Sequence, residues 1–323
     1  MKNNGLCVSI LLSLFLMVVC TEGVVAQQEG NMTLFMYNPW AINPAAAGYR
    51  DVPTLVVHHR SQWLGFKGAP VTQYLQINTP AFKSHRLGFS AGLTNRKAGY
   101  FESQTGNLAL SYALVKTGRF AVRMGLQGSV RRFTTRFNTA DDILVLQADR
   151  SIPPRKSARY FGNLGIGTFI TLGESYLGFS VPFYLPTVIG INPYTPVSAA
   201  ESAHYYLMGG LSFAVADGLT MKPQVLVKYV ENAPWNVETN LSMVFKDKVT
   251  VGASYRAGKT NIVGVGESVS MTMLLQLSDR MALGGAYDWI LSPIGQFSYG
   301  SFEATLRYDL KTKEVKLSNP RGF

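Results

Sequence analysis

Four histidines, His58, His59, His85 and His204, are the first residues to test for chemistry, because imidazole ligates metals and carries protons near neutral pH. His58 and His59 are adjacent in an alternating stretch, so they point to opposite faces and cannot share one metal. Neither His-x-Glu nor His-Glu-x-x-His spacing occurs. His204 follows Glu201 and Ser202, but a triad needs partners converging through space, which a local run does not supply. Gly162 to Gly167 and Gly264 to Gly266 lack the following helix that a phosphate loop requires, and close packing at bends of a strand wall accounts for them better. Asp141-Asp142 has no second acidic cluster at calcium spacing. Both cysteines, Cys7 and Cys20, fall in the leader discussed below, which removes thiol catalysis and zinc–thiolate sites from the mature chain. No catalytic, cofactor or metal site is expected.

The charged residues with the most regular setting are the arginines. Arg119, Arg123 and Arg131 stand on one side of an alternating segment, and Arg86, Arg256 and Arg307 sit in similar contexts. Pointing inward from a curved sheet, they could form an anion-selective pore or seat an acidic plug. They could also pair with Glu102, Glu238 and Glu303, and that network is the favoured reading because half-buried charges find partners.

The elements that would hold these residues are strands. No stretch after Gln27 is apolar for about 18 residues, so no membrane-crossing helix is expected. Period-two alternation recurs instead. In 119–131, Phe120, Val122, Met124, Leu126 and Val130 oppose Arg119, Arg123, Gln127, Ser129 and Arg131. In 248–256, Val249, Val251, Ala253 and Tyr255 oppose Thr250, Ser254 and Arg256, and in the last strand Phe302, Ala304, Leu306, Tyr308 and Leu310 oppose Ser301, Glu303, Thr305, Arg307 and Asp309.

About fourteen such segments are expected, an even number as bacterial barrels require. They lie near 54–62, 70–79, 86–95, 101–115, 119–132, 159–171, 175–183, 204–216, 219–231, 235–246, 248–257, 261–277, 281–290 and 297–310. Connections after even-numbered segments are mostly tight and polar, such as Lys116-Thr117-Gly118, Leu172-Gly173-Glu174 and Asp217-Gly218, with 80–85 looser. The two longest connections, near 133–158 and 184–203, follow odd-numbered segments. Loop length sorted by parity is the mark of an all-β, transmembrane antiparallel barrel with both termini on the short-turn side. Tyr176, Tyr205, Tyr229, Trp235, Tyr287 and Trp289 near strand ends fit an interfacial aromatic girdle.

Composition agrees. Hydrophobic residues make 47% and charged residues 15% of 323 positions, with Gly 31, while mean hydropathy is barely positive. That balance suits alternating strands better than membrane helices or a soluble domain. Lys2, the apolar run Leu6 to Val19 and Val24-Val25-Ala26 before Gln27 read as a secretory signal peptide over 1–26. Residues 27–53 are Asn-, Pro- and Ala-rich and do not alternate, so they are expected to form an N-terminal plug or rim segment ahead of a barrel over 54–323. The net charge of +11 survives loss of Lys2 and Glu22. Export makes nucleic acid an unsuitable partner; anionic lipid, acidic protein segments or a polar lumen fit instead.

From Tyr37 onward the chain resembles the PorP/SprF family of type IX secretion system membrane proteins. The resemblance is carried by Tyr37-Asn38-Pro39, then Ile42-Asn43-Pro44-Ala45-Ala46-Ala47-Gly48, then Arg60, Gln62, Trp63, Gly65, Phe66, Gly68, Ala69, Pro70, Thr72 and Gln73. The ending Asn319-Pro320-Arg321-Gly322-Phe323 is similar too, although Gly322 and Ala46 stand where an aromatic is common. The resemblance implies an outer-membrane barrel of the Bacteroidota that takes part in type IX export. It further implies surface cargo, in some members gliding adhesins, and periplasmic partners, namely ring lipoproteins and a peptidoglycan-binding protein. On this reading the signature residues are candidates for partner contact. Trp63 and Phe66 would fall in the first external hairpin, presenting an aromatic anchor or shaping the barrel mouth. The expected protein is a monomeric, non-enzymatic outer-membrane platform, with a diffusion channel as the rival.

Overall fold

The computed structural model describes residues 30–81, 86–136, 156–190, 198–231, 233–258 and 267–310. The proposed leader, both cysteines, His85, Asp141-Asp142, Gly264 to Gly266 and the ending 319–323 lie outside the described residues.

Alternation builds a wall. The strands β1 (Thr54–Ser61), β2 (Val71–Ala81), β3 (Leu87–Ala98), β4 (Phe101–Thr117), β5 (Phe120–Arg136), β6 (Lys156–Leu172) and β7 (Ser175–Val181) follow one another antiparallel. A separate hairpin of β8 (Thr187–Gly190) and β9 (Ser198–Glu201) comes next. Then come β10 (His204–Gly210), β11 (Phe213–Ala216), β12 (Leu219–Val230), β13 (Asn236–Phe245), β14 (Val249–Gly258), β15 (Ser268–Gln276), β16 (Met281–Ile290) and β17 (Ser301–Asp309). The sheet closes on itself. β17 pairs with β1, placing Thr54 opposite Asp309 and Ser61 opposite Phe302, and β10 bridges β7 and β12. Since β10 and β11 are two halves of one strand laid on β12, the wall is a closed antiparallel barrel of 14 strands. Closure leaves no unpaired edge, which is what lets strands cross a bilayer.

The faces sort as their pattern requires. In β5, Phe120, Met124, Leu126 and Val130 are exposed on the outside while Arg123, Gln127 and Ser129 are buried inside. In β17, Phe302 and Leu306 are exposed and Ser301, Glu303, Thr305, Arg307 and Asp309 are buried. The two-residue turns Gly118-Arg119 and Gly173-Glu174 reverse the chain with both glycines at positive φ, where a side chain would be strained.

Four boundaries differ from expectation. The segment 204–216 breaks at Leu211-Ser212, opposite Pro223, which has no N–H to answer the bond its carbonyl accepts from Leu211 N at 3.0 Å. The strand expected from 297 starts at Ser301, because Pro293–Phe297 forms a 3-10 turn and Gly300 has φ +98°. The strand expected over 261–277 is described from Ser268, and the loop expected over 184–203 holds the β8–β9 hairpin. Tyr176 is corrected as well. It lies on the inward parity of β7 and stacks on Phe169 at 5.6 Å, so it belongs to the lumen and not to a girdle.

The hydrophobic core is inside the barrel and belongs largely to the segment before β1. Pro39 and Pro44 start the 3-10 turns Pro39–Ala41 and Pro44–Ala46, where a fixed φ and a missing N–H cost nothing. Together with Phe35–Tyr37 they fold the chain compactly, so Leu34, Phe35, Met36, Trp40 and Ala45 are almost wholly buried. They pack against inward wall residues Val56, Phe169, Met208, Leu226 and Leu274. Each large side chain so buried contributes about 1.5–3 kcal/mol.

Candidate functional site: the lumen and the segment inside it

Residues 30–53 are held by three sets of contacts. The first is a cradle of missing side chains. A Cβ on Gly88 would collide with the Ala47 carbonyl, one on Gly125 with Ala45, and one on Gly167 with Asn43. These wall glycines lie in β3, β5 and β6, so the inner surface is hollowed where the turn Pro44–Ala46 rests. Packing against the internal segment, rather than a wall bend, explains Gly167, and Gly165 likewise makes room for Pro182.

The second set consists of asparagines, the two of the Asn-Pro steps and Asn78 of β2. The Asn43 side-chain carbonyl accepts from Ala45 N at 2.9 Å, and its amide donates to Thr168 O at 2.9 Å and Phe179 O at 3.3 Å. One side chain thus caps its own turn and ties it to β6 and β7. Asn38 donates to Gln76 Oε1 on β2, and Asn78 Oδ1 accepts from Gly48 N at 2.7 Å.

The third set is charged. Glu303 on β17 accepts Thr33 N at 2.7 Å and Leu34 N at 2.9 Å, and it also takes Arg60 Nη1 from β1. Arg60 Nη2 reaches Asp288 Oδ2 of β16 at 2.7 Å. Arg256 of β14 grips Glu238 of β13 through two bonds of 3.0 Å. The Thr33 hydroxyl sits between the groups. It accepts from Arg256 Nη2 at 2.7 Å and from Arg60 Nη1 at 3.2 Å, and donates to Asp288 Oδ1 at 3.0 Å, which saturates it. Lys228 adds a third cation and donates to Asn31 Oδ1 at 2.9 Å. Three carboxylates and three cations from six wall strands therefore converge on one end of the segment. At its other end Arg50 Nη2 meets Asp309 Oδ2 at 2.9 Å, and Arg307 Nε stands 3.4 Å from the same oxygen. Buried charges of this kind hold geometry more than they add stability, because desolvation offsets much of the attraction.

The sequence expectations divide accordingly. Tyr37, Asn38, Pro39, Asn43, Pro44 and Gly48 are buried in the lumen segment, and Arg60 is in the charge cluster. Gln62, Trp63, Gly65, Phe66, Gly68 and Pro70 form the loop between β1 and β2. Gly65 and Gly68 take positive φ there, Leu64 N donates to Gly300 O at 2.8 Å, and Gly99 N donates to Gly68 O at 2.8 Å. Three hairpin loops are thereby joined at the long-loop end. Phe66 is exposed, whereas Trp63, with φ +54°, is half-buried and bonded through its N–H to Ser301 Oγ at 3.2 Å. Gln73 faces outward beside His59, 3.4 Å away.

The arginine series needs correction. Arg123 is buried and donates to Arg86 O at 3.2 Å, and Arg131 donates to Thr105 Oγ1 at 3.2 Å and lies over the Phe183 ring at 4.8 Å. Arg119 is not a lumen residue. It occupies the Gly118-Arg119 turn and is exposed at the rim of a vestibule of about 840 Å³ whose floor includes Tyr49 and Arg50. Of the expected carboxylate partners, Glu238 and Glu303 are in the network. Glu102 is not; it lies on the outward parity of β4, 3.9 Å from Lys97 Nζ. Sequence reasoning missed Thr33, Arg50, Asp288 and Asp309 as anchors. Asp288 carried a signal, as the lone carboxylate on the small-residue face Ala282, Gly284, Ala286 of β16.

A sequence profile of type IX secretion system membrane protein PorP/SprF matches residues 24–308. No curated protein matches the chain. Among solved structures, a TodX monoaromatic hydrocarbon channel mutant is similar over 88% of this chain and 99% of its own, with TM-score 0.50 and 11% identity. The Acinetobacter baumannii outer membrane protein Omp33 is similar over 81% and 100%, with TM-score 0.47 and 7% identity. At such identities the likeness to the TodX mutant speaks for the barrel fold alone.

Proposed function

Since the chain belongs to the PorP/SprF family of type IX secretion system membrane proteins, we propose that it is a closed outer-membrane platform of that system and not a diffusion channel. Its work is to support export or surface anchoring of cargo proteins, gliding adhesins among them, and to link them to the periplasmic machinery. The observation that carries this reading is the filled lumen. Residues 30–53 occupy the barrel and are tied at both ends, and the cavity beside Met32, Gln76, Arg131 and Phe183 holds only about 70 Å³. Residues 27–53 act as a resident plug, residues 1–26 are removed on export, and the barrel works as a monomer in the outer membrane of a Bacteroidota cell.

The joined loops of the long-loop end are the cargo-facing surface, with Phe66 among their exposed aromatics beside Tyr100, Phe297 and Tyr299. The short-turn end and its vestibule face the ring lipoproteins and the peptidoglycan-binding partner. The test combines affinity capture from solubilised membranes with planar-bilayer conductance of the purified barrel. Export components and a surface protein should come down together. The intact barrel should be electrically silent, and a chain lacking 27–53 should conduct. Steady current through the intact barrel, unchanged by that deletion, favours the channel and sinks the platform.

A further inference from the structure

The outer face of β1 to β6 carries a trough of about 950 Å³ that points toward lipid. Its floor is made by Gly106, Gly128 and Gly162. These are neighbours across the register, because Val130 stands opposite both Gly106 and Gly162 while Gly128 stands opposite both Leu108 and Leu164. The three are unlike the cradle glycines inside. A Cβ at Gly128 or Gly162 would meet nothing within 4 Å, so neither the internal segment nor the wall demands their smallness. What their smallness does is leave a furrow between the exposed side chains of Leu93, Leu108 and Leu164.

Two residues further toward the long-loop end, roughly 7 Å along the strands, the same face turns polar. Gln104 is opposite Arg132 there, and two residues beyond them Lys97 is opposite Glu102. Lys97 is matched by Glu102 at 3.9 Å. Arg132 is not matched: its Nη1 reaches Gln104 Oε1 at 3.4 Å, its buried Nε has no acceptor, and among the described residues no carboxylate lies within ion-pair distance of it. Within a bilayer, apolar contact alone cannot select one lipid over another, since hydrocarbon surrounds every choice. Shape and head-group charge can. A guanidinium pairs bidentately with phosphate, and a furrow free of side chains admits one extended chain.

We propose that this trough is a binding site for an anionic phospholipid-type amphiphile of the outer leaflet, with an acyl chain along Gly106, Gly128 and Gly162 and a head-group phosphate on Arg132. The purified barrel, placed in nanodiscs of phosphatidylcholine with a minor fraction of phosphatidylglycerol of the same acyl chains, is released for native mass spectrometry. Retained lipid should be enriched in phosphatidylglycerol by at least about fivefold over its input fraction, the weight of a charge-assisted pair in a partly wet site. Arg132→Gln should abolish the enrichment. Gly128→Leu and Gly162→Leu, each with open space for the new side chain, should lower total retained lipid while heat-modifiable gel mobility reports an intact barrel. Lys67→Gln, in the exposed loop between β1 and β2, should change nothing. No enrichment in the wild type, enrichment that survives Arg132→Gln, unchanged retention in both leucine variants, or an equal loss in Lys67→Gln each overturns the site.

Discussion

Replacing Glu303 by Gln tests whether the lumen segment is latched or merely packed. The wild-type carboxylate is fully buried and accepts Thr33 N, Leu34 N and Arg60 Nη1. Gln keeps the shape but offers one oxygen, and its NH2 must face one of those donors. The surviving bonds fall from charge-assisted to neutral, about 1.5–3 against 0.5–1.5 kcal/mol each. Only the two bonds to the segment count, for a loss of about 2 kcal/mol, because the Arg60 bond joins two wall strands and is present in both states. Nothing comparable is lost when the segment has already left the lumen, so the whole difference falls on the equilibrium between seated and displaced. About 2 kcal/mol is roughly 30-fold in that equilibrium.

Single-channel recording reads this directly. The wild-type barrel should open rarely, and Glu303→Gln should raise the open fraction by about 30-fold until it saturates. Placed in a chain lacking 27–53, the same substitution should alter neither conductance nor open fraction. If the open fraction of Glu303→Gln stays within about threefold of wild type, the charged contacts are dispensable and the segment is retained by packing alone.

Three further outcomes are expected. Gly167→Leu drives a side chain into the space of Asn43 and Pro44, an overpacking cost of about 1–3 kcal/mol; protease added to the purified barrel should then cut within 30–53, and continued protection would remove the cradle from the account. Leu126→Arg, midway along the apolar outer face of β5, should lower folding stability in vesicles by about 2–4 kcal/mol in a urea titration, whereas a loss under half that would question the lipid-facing assignment. Phe66→Ala should reduce surface display of cargo in a protease-shaving assay with barrel assembly intact, and Trp63→Ala, half-buried and bonded to the last hairpin, should do so less; equal display in both variants would clear the loop of that role.

The wall was legible because its signal is a period of two that a single sequence displays many times. Leu126 against Gln127, or Leu306 against Arg307, announces its face without any neighbour. What lies inside carries no period. Residues 30–53 fold through Asn-Pro steps whose partners are far away in sequence, so Asn43 could be read as a turn but not as a tie to Thr168 and Phe179. Arg119 was misplaced because two-residue turns interrupt the alternation, and a parity drawn through Gly118 credits the rim with a lumen residue. Tyr176 and Glu102 show the reverse limit. Each is a residue type that suits either face near a strand end, and only the register of its neighbours decides. The glycines were the least readable, since Gly125 and Gly167 are small for the internal segment and Gly128 and Gly162 for an outer furrow, yet all four look alike in sequence.

A filled lumen that is nevertheless highly charged needs a reason, since an apolar interior would hold an apolar plug with no desolvation cost. The reason lies in the wall. A strand whose two faces were both apolar could slip by one residue and still satisfy the bilayer, because the slip merely exchanges equivalent faces. Arg60, Asp288, Glu303 and Arg307 make that slip prohibitive by placing charge in hydrocarbon. Once the interior is polar, whatever fills it must bring acceptors and donors of its own. Thr33, Asn38, Asn43 and Arg50 supply them. The Asn-Pro-rich segment and the charged strands are thus two parts of one solution: the charges fix the register, and the segment makes those charges compatible with a closed barrel.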